Sequence, residues 1–145
     1  MTRPGCFLAC QTPDNPLGIY PLVDRAEKLI PLLNAGITTA QIRIKDLTGN
    51  VLKQELALAD ALAKAYQARL FINDYWQIAL ELNSYGVHLG QEDVTDLALA
   101  DVTALHQAGI RLGISTHTPQ EMSAALAIQP SYIAIGPIFE TSTKP

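Results

Sequence analysis

The sequence predicts a parallel α/β fold of six βα-type units. Two observations predict it. Short apolar runs alternate with longer runs of helical period. Gly, Pro or a capping pair punctuates most junctions between them. Such alternation predicts a parallel sheet with right-handed crossovers.

The elements follow in order. Gly18-Ile-Tyr-Pro-Leu-Val23 reads as the first strand, with Pro21 awkward inside it. Asp24 opens a helix with Glu27 as capping-box partner, Gly36 ends it at C′, and Pro31 is expected to kink it. Thr38 to Ile44 is the second strand. From about Val51 to Gln67, Leu52, Leu56, Ala59, Ala63 and Tyr66 mark one helical face. Leu70 to Ile72 is a strand and Trp76 to Leu82 a helix. Gly86 to Leu89 is a strand, and Val102 to Ala108 a helix closed by Gly109. Ile110 to Ile114 is the fifth strand. Thr118-Pro119-Gln-Glu121 opens the last helix with an N-cap, a first-turn Pro and a box-closing Glu. Tyr132 to Ile135 is the sixth strand. An open doubly wound sheet and a (β/α)8 barrel both fit this order.

Composition bounds the function. The chain has 145 residues, 48% hydrophobic and 17% charged, with a formal net charge of -4. That length suits one domain able to bury a core without staples. With 14 acidic against 10 basic residues, nothing argues for nucleic acid or an anionic membrane as partner. No apolar run approaches the ~20 residues of a bilayer span. Residues 1–17 read as a polar, frayed leader carrying two reduced thiols, Cys6 and Cys10, with no second Cys or His cluster to complete a zinc site. Residues 18–145 form the α/β unit. A cytoplasmic location is expected.

Chemistry gathers after the strands. Lys45-Asp46 follows the second strand, Asn73-Asp74 the third and Gln91-Glu92-Asp93 the fourth. The fifth leads into Ser115-Thr116-His117, and the sixth to Thr141, Thr143 and Lys144. In a parallel sheet these carboxyl ends share one edge, where such folds place their sites. Gln41, Arg43 and Lys45 alternate with Ile42 and Ile44 and so share one strand face. A solvated edge strand would show the same pattern, but in a sheet covered on both faces the triple must meet something charged, and a phosphate suits Arg with Lys. Asp74 and Asp93 are read as ending adjacent strands roughly 5 Å apart. Two carboxylates beside a phosphate site suit magnesium, and Asp74 equally suits an N-cap for the following helix. His88 is read as a hydrogen-bonded packing residue, His106 as a solvated helix residue, and His117 as a rim residue with no assigned role. Tyr75 and Trp76 are read as packing aromatics.

Five strings resemble the thiamine-phosphate synthase family in order and spacing. They are Gln41-Ile-Arg-Ile-Lys45, Ile72-Asn-Asp-Tyr75, Gly86-Val-His-Leu-Gly-Gln-Glu-Asp93, Gly113-Ile-Ser-Thr-His117, and Tyr132-Ile-Ala-Ile-Gly-Pro-Ile-Phe139 with Thr141-Ser-Thr-Lys144. The resemblance implies a TIM barrel. It implies a Mg2+-dependent transferase joining hydroxymethylpyrimidine diphosphate to thiazole phosphate, with thiamine phosphate and pyrophosphate as products. By the same resemblance Gln41, Ile42, Arg43, Ile44, Lys45, Asn73, Ser115 and Lys144 would hold the pyrimidine diphosphate. Asp74 and Asp93 would hold magnesium, and Thr141, Ser142 and Thr143 would meet the thiazole phosphate. No protein nucleophile is implied.

The sequence departs from the family pattern at Glu140, where Pro is common, and it ends after the sixth of eight expected strands. The expectation is therefore an N-terminal six-strand portion of the barrel, inactive alone, that aggregates or folds only by associating, through its unpaired sheet edges, with a copy of itself or with a complementing C-terminal fragment. A non-synthase barrel relative binding a thiazole phosphate and a non-catalytic binding or assembly module are the alternatives.

Overall fold

The structure is a computed structural model and describes residues 6–139. Its six strands are β1 (Leu22–Val23), β2 (Thr39–Ile42), β3 (Arg69–Asn73), β4 (Gly86–Leu89), β5 (Arg111–Thr116) and β6 (Tyr132–Ile135). All neighbours pair in parallel, in the order β1-β2-β3-β4-β5-β6. The helices between them are α1 (Leu29–Asn34), α2 (Gly49–Ala65), α3 (Trp76–Leu82), α4 (Gln91–Asp96), α5 (Leu99–Gln107) and α6 (Pro119–Ala127). Sequential strand order is that of a barrel, and the sheet is curled into half of one. Laid flat, five inter-strand steps of about 4.8 Å would hold β1 and β6 roughly 24 Å apart. Yet Tyr20, two residues before β1, and Tyr132 at the start of β6 meet hydroxyl to hydroxyl at 2.6 Å.

The two faces of the sheet differ in chemistry. Ile42, Ile44, Ile72, Val87, Leu89, Leu112 and Ile114 point to the helices, into one cluster with Leu29, Leu52, Leu56 and Leu105. Their strand neighbours point into the concave face, where Gln41, Arg43, Asn73, His88 and Ser115 line a cavity. Burial of the helix-facing side chains, each worth about 1.5–3 kcal/mol, is what fixes the alternation in space. Leu52, Leu56, Ala59 and Ala63 of α2 are all buried on that face.

Local details depart from sequence expectation. No Asp24 capping box forms. Asp24 instead pairs with Lys28 at 2.7 Å, and a 3-10 turn (Ala26–Lys28) precedes α1. Pro31 then sits in the first turn of α1, where a missing N–H costs little, so it does not kink a helix interior. Gly36 does end α1. Its φ of +96° suits a residue without a Cβ, and the N–H groups of Gly36 and Ile37 donate to Leu33 and Leu32 in a Schellman closure. Pro21 confines β1 to two residues. Thr118 caps α6, accepting from Glu121 N at 3.1 Å, but the Glu121 carboxylate reaches back to His117 N at 2.8 Å rather than to Thr118. Gln91–Asp96, where the sequence predicts no element, is α4.

The leader is not frayed over the described residues. Phe7 N donates to Gln129 O at 3.0 Å, and Phe7 packs edge-on against His106. A bond to Cys6 O at 2.7 Å ties His106 down further, so it is not a solvated helix residue. Arg69 of β3, only 7% exposed, donates to Cys10 O at 2.8 Å, Asn15 O at 3.1 Å and Pro16 O at 2.7 Å. Burying a guanidinium requires that its donors be satisfied, and the leader carbonyls do this at the amino end of the sheet. Burial pushes the Cys10 thiol up, which leaves it unreactive while the leader stays docked.

Arg69→Met is expected to release the leader. The urea midpoint should fall by an amount equivalent to about 1–3 kcal/mol, the scale for buried acceptors left unpaired. Cys10 should also become open to a thiol reagent at rates near those of an exposed cysteine.

Candidate active site

The carboxyl ends of the strands open onto a cavity of about 940 Å³. Its walls include the segments after four strands, with Arg43 and Lys45 after β2, Asn73 and Asp74 at the end of β3, Asp93 after β4, and Ser115 and His117 of β5 and its loop. Gln41, Arg43 and Lys45 therefore do share one face, although β2 ends at Ile42. The side chains of Ile42 and Ile44, 0% and 1% exposed, turn away into the core, and neither residue lines the cavity. Lys144, Thr141, Ser142, Thr143 and Glu140 lie outside the described residues.

Asp74 does not cap a helix. Tyr75 is the N-cap of α3, with no side-chain cap bond. Asp74 has a φ of +69°, and Tyr75 N donates across it to Asn73 O at 2.9 Å, closing a tight three-residue turn. A non-glycine residue in that turn stores strain of order 1–3 kcal/mol, a cost found where the backbone must aim a functional group. Its N–H is held by His88 O at 3.0 Å, and its carboxylate accepts from Lys45 Nζ at 2.5 Å.

Asp93 does not end β4. It lies four residues beyond, in the first turn of α4, and accepts from Gly90 N at 3.1 Å. Helix geometry rather than strand spacing thus brings it toward Asp74. Burial, with the Asp74 carboxylate facing it, raises the Asp93 carboxyl above the ordinary carboxylate value, while the Gly90 N–H and Lys45 oppose that shift. Two acids forced together in this way want either a shared proton or a cation between them. Among the described residues no group of three His, Cys, Asp or Glu side chains is placed to enclose a metal. Two carboxylates on an open rim fit Mg2+, which keeps several waters and completes its shell with substrate oxygens.

Other rim groups stand ready for a ligand. Asn73 Nδ2 is buried with no hydrogen-bond partner. Arg43 is half-buried and makes no ion pair among the described residues. His117 is paired with Glu121 at 3.0 Å.

Of the concave wall, sequence reasoning found Gln41 and Ser115 and expected His88 to be hydrogen-bonded, but it missed Tyr20 and Tyr132. His88, read as packing, bonds Tyr132 Oη through Nδ1 at 2.7 Å and Ser115 Oγ through Nε2 at 2.6 Å. Gln41 Nε2 donates to Tyr20 Oη at 3.3 Å. Tyr132 lies flat against Gly113, where a Cβ would come within 2.1 Å of its ring. That glycine opposite a tyrosine in register was the sequence signal for Tyr132.

The sheet and its rim define the class, a half-barrel of parallel βα units with its charged groups at the carboxyl ends of the strands. The chain belongs to the thiamine monophosphate synthase family, whose model matches residues 19–145. The thiamine-phosphate synthase of Serratia proteamaculans is 56% identical over 128 residues, covering 88% of this chain and 59% of that protein. The thiamine-phosphate synthase of Cronobacter sakazakii is 53% identical over 128 residues, covering 88% of this chain and 60% of that protein. A solved structure of a thiamine phosphate pyrophosphorylase from Pyrococcus furiosus superposes with a TM-score of 0.74 at 25% identity, over 86% of this chain and 62% of that one. The chain thus spans about six-tenths of the length of the curated relatives it matches.

The Asp74–Asp93 pair has a stability signature. Because the folded Asp93 carboxyl binds its proton more tightly than the unfolded one, its contribution is fully present below the ordinary value of 3.8 and is lost as pH rises through the elevated folded value. Asp93→Asn keeps an acceptor for Gly90 N and removes the charge. In metal-free buffer the variant should melt higher than the parent at pH 7, and the difference should vanish below about pH 3.8. Equal melting curves at both pH values would show that the two carboxylates do not oppose one another.

Proposed function

We propose that this chain carries the pyrimidine-diphosphate half of a thiamine-phosphate synthase, a cytoplasmic Mg2+-dependent transferase. The reaction breaks the C–O bond between the pyrimidine methylene and the diphosphate. It forms a C–N bond from that carbon to the nitrogen of the thiazole phosphate, and pyrophosphate leaves. The observation that carries the reading is the rim itself: Asp74 beside Asp93, with Arg43, Lys45 and the unpartnered Asn73 Nδ2 on one cavity.

Each residue has a role in that chemistry. Arg43 forks two phosphate oxygens, and Lys45, released from Asp74, supplies a point charge to the leaving group. Asn73 Nδ2 and Ser115 donate to the diphosphate, and Lys144 would add a third cation. Asp74 and Asp93 would hold Mg2+, which when bound neutralises charge on the departing pyrophosphate. The concave wall of Gln41, Tyr20 and Tyr132 excludes water from the reacting methylene. Thr141, Ser142 and Thr143 are the proposed contacts to the thiazole phosphate. No side chain need act as a nucleophile; the protein's work is positioning and electrostatics. Among the described residues both outer strands, β1 and β6, have a neighbour on one side only. Association of copies through those edges is part of the proposal, and sedimentation equilibrium measures it.

Calorimetry with the pyrimidine diphosphate tests the site without requiring turnover. Binding should need Mg2+, and Asp74→Ala or Asp93→Ala should abolish the Mg2+-dependent binding. Arg43→Ala should weaken binding by about 10- to 100-fold, the scale of one lost charge-assisted hydrogen bond. Mg2+-independent binding that survives all three substitutions would overturn the reading. A coupling assay with thiazole phosphate, run on the chain alone, reports whether these residues suffice for synthesis.

A further inference from the structure

Five side chains from different segments form one hydrogen-bonded line across the concave face. Gln41 of β2 donates to Tyr20, which meets Tyr132 of β6 at 2.6 Å. Tyr132 meets His88 Nδ1 at 2.7 Å, and His88 Nε2 meets Ser115 Oγ at 2.6 Å. Burial keeps both phenols neutral, pushing Tyr20 up to about 12 and Tyr132 up as well. Each hydroxyl therefore holds one proton and donates once, and in the neutral form we assign to His88 the imidazole donates from one nitrogen only.

These limits make the line directional. Tyr20 accepts from Gln41, so its half-buried O–H goes to Tyr132, 2.6 Å away. Tyr132 then spends its proton on His88 Nδ1. The imidazole proton is left on Nε2 and goes to Ser115, whose own O–H turns to the cavity. Reversing any one bond requires reversing all of them and turning over the Gln41 amide. What Ser115 shows a ligand is thus coupled to what Gln41 shows, across the width of the sheet.

We propose that Tyr20, Tyr132 and His88 are positioning residues that fix Ser115 as a donor and Gln41 as an acceptor, so that the wall selects a ring amino group over a ring carbonyl. The inference rests on the proposed pyrimidine diphosphate function for its ligand. A diphosphate on the Arg43 and Lys45 rim takes the Ser115 proton in a charge-assisted bond, which favours this direction of the line. Gln41 Oε1 is then left free to accept from an exocyclic amino group. A carbonyl at the same ring position would set oxygen against oxygen.

The direct test is the tautomer of His88 by long-range 1H–15N correlation on the whole chain, assigned with His106→Gln and His117→Gln variants. The expected result is a single Nε2–H tautomer, changed to a mixture by Tyr132→Phe, which keeps the ring and removes the hydroxyl. In calorimetry the parent should prefer the 4-amino over the 4-oxo pyrimidine diphosphate, and Tyr132→Phe should lower that ratio by about tenfold, the size of one net hydrogen bond. An Nδ1–H tautomer in the parent, or a Tyr132→Phe variant with the His88 tautomer and the ratio both unchanged, overturns the proposal. An intact Nε2–H tautomer in a protein that binds neither pyrimidine would support the direction of the line and instead overturn the proposed function.

Discussion

The contact between Tyr20 and Tyr132 is the constraint on which the rest of the molecule depends. It joins the two edges of a six-stranded sheet across its concave side. A sheet with the ordinary twist of parallel strands would leave those edges far apart, so the contact and the curl imply one another. Phe71 supports it from β3, packing edge-on against Tyr132 at a ring separation of 5.2 Å. Gly86 and Gly113 make room for the rings, since a Cβ at either would collide with Phe71 or Tyr132. Curvature points the carboxyl ends of the strands at a common cavity, and without it the rim groups would lie along a line.

At that rim the protein holds cost in its backbone and its charges. Asp74 occupies a strained turn and Asp93 a helix N-terminus, and each geometry aims a carboxylate at the same space. Lys45 partly compensates the pair by bridging to Asp74. An arrangement unfavourable to the empty protein is what a divalent cation and a polyanion would relieve. The opposite end of the sheet has no such tension. There the leader supplies its carbonyls to Arg69, and Arg111 lies over the Tyr85 ring at 4.1 Å, so the cations are satisfied without carboxylates. This division, strained and charged groups at the carboxyl ends and satisfied ones at the amino ends, is the one expected of barrel folds.

Much of this was legible in the residues. Ile42 and Ile44 alternating with Gln41, Arg43 and Lys45 set which side of β2 meets the helices, because a pleated strand has a period of two. The strings around Asn73-Asp74, Gln91-Glu92-Asp93 and Ser115-Thr116-His117 placed polar groups after each strand. They also carried the family resemblance that the model match to residues 19–145 bears out. Less legible were the caps. Asp24 and Glu27 matched a capping box, yet Lys28 competed for the Asp24 carboxylate and the helix began later.

By itself the sequence determined the order of elements, the parallel sheet, the apolar face and the cation-rich rim. These follow from periods and punctuation within a few residues of chain. Tertiary structure alone decided the line through Gln41, Tyr20, Tyr132, His88 and Ser115, the approach of Asp93 to Asp74, and the docking of the leader on Arg69. Each joins residues far apart in sequence, up to 112 positions for Tyr20 and Tyr132. Such contacts depend on how far the sheet curls and on where a helix begins in space, and no local periodicity encodes either quantity.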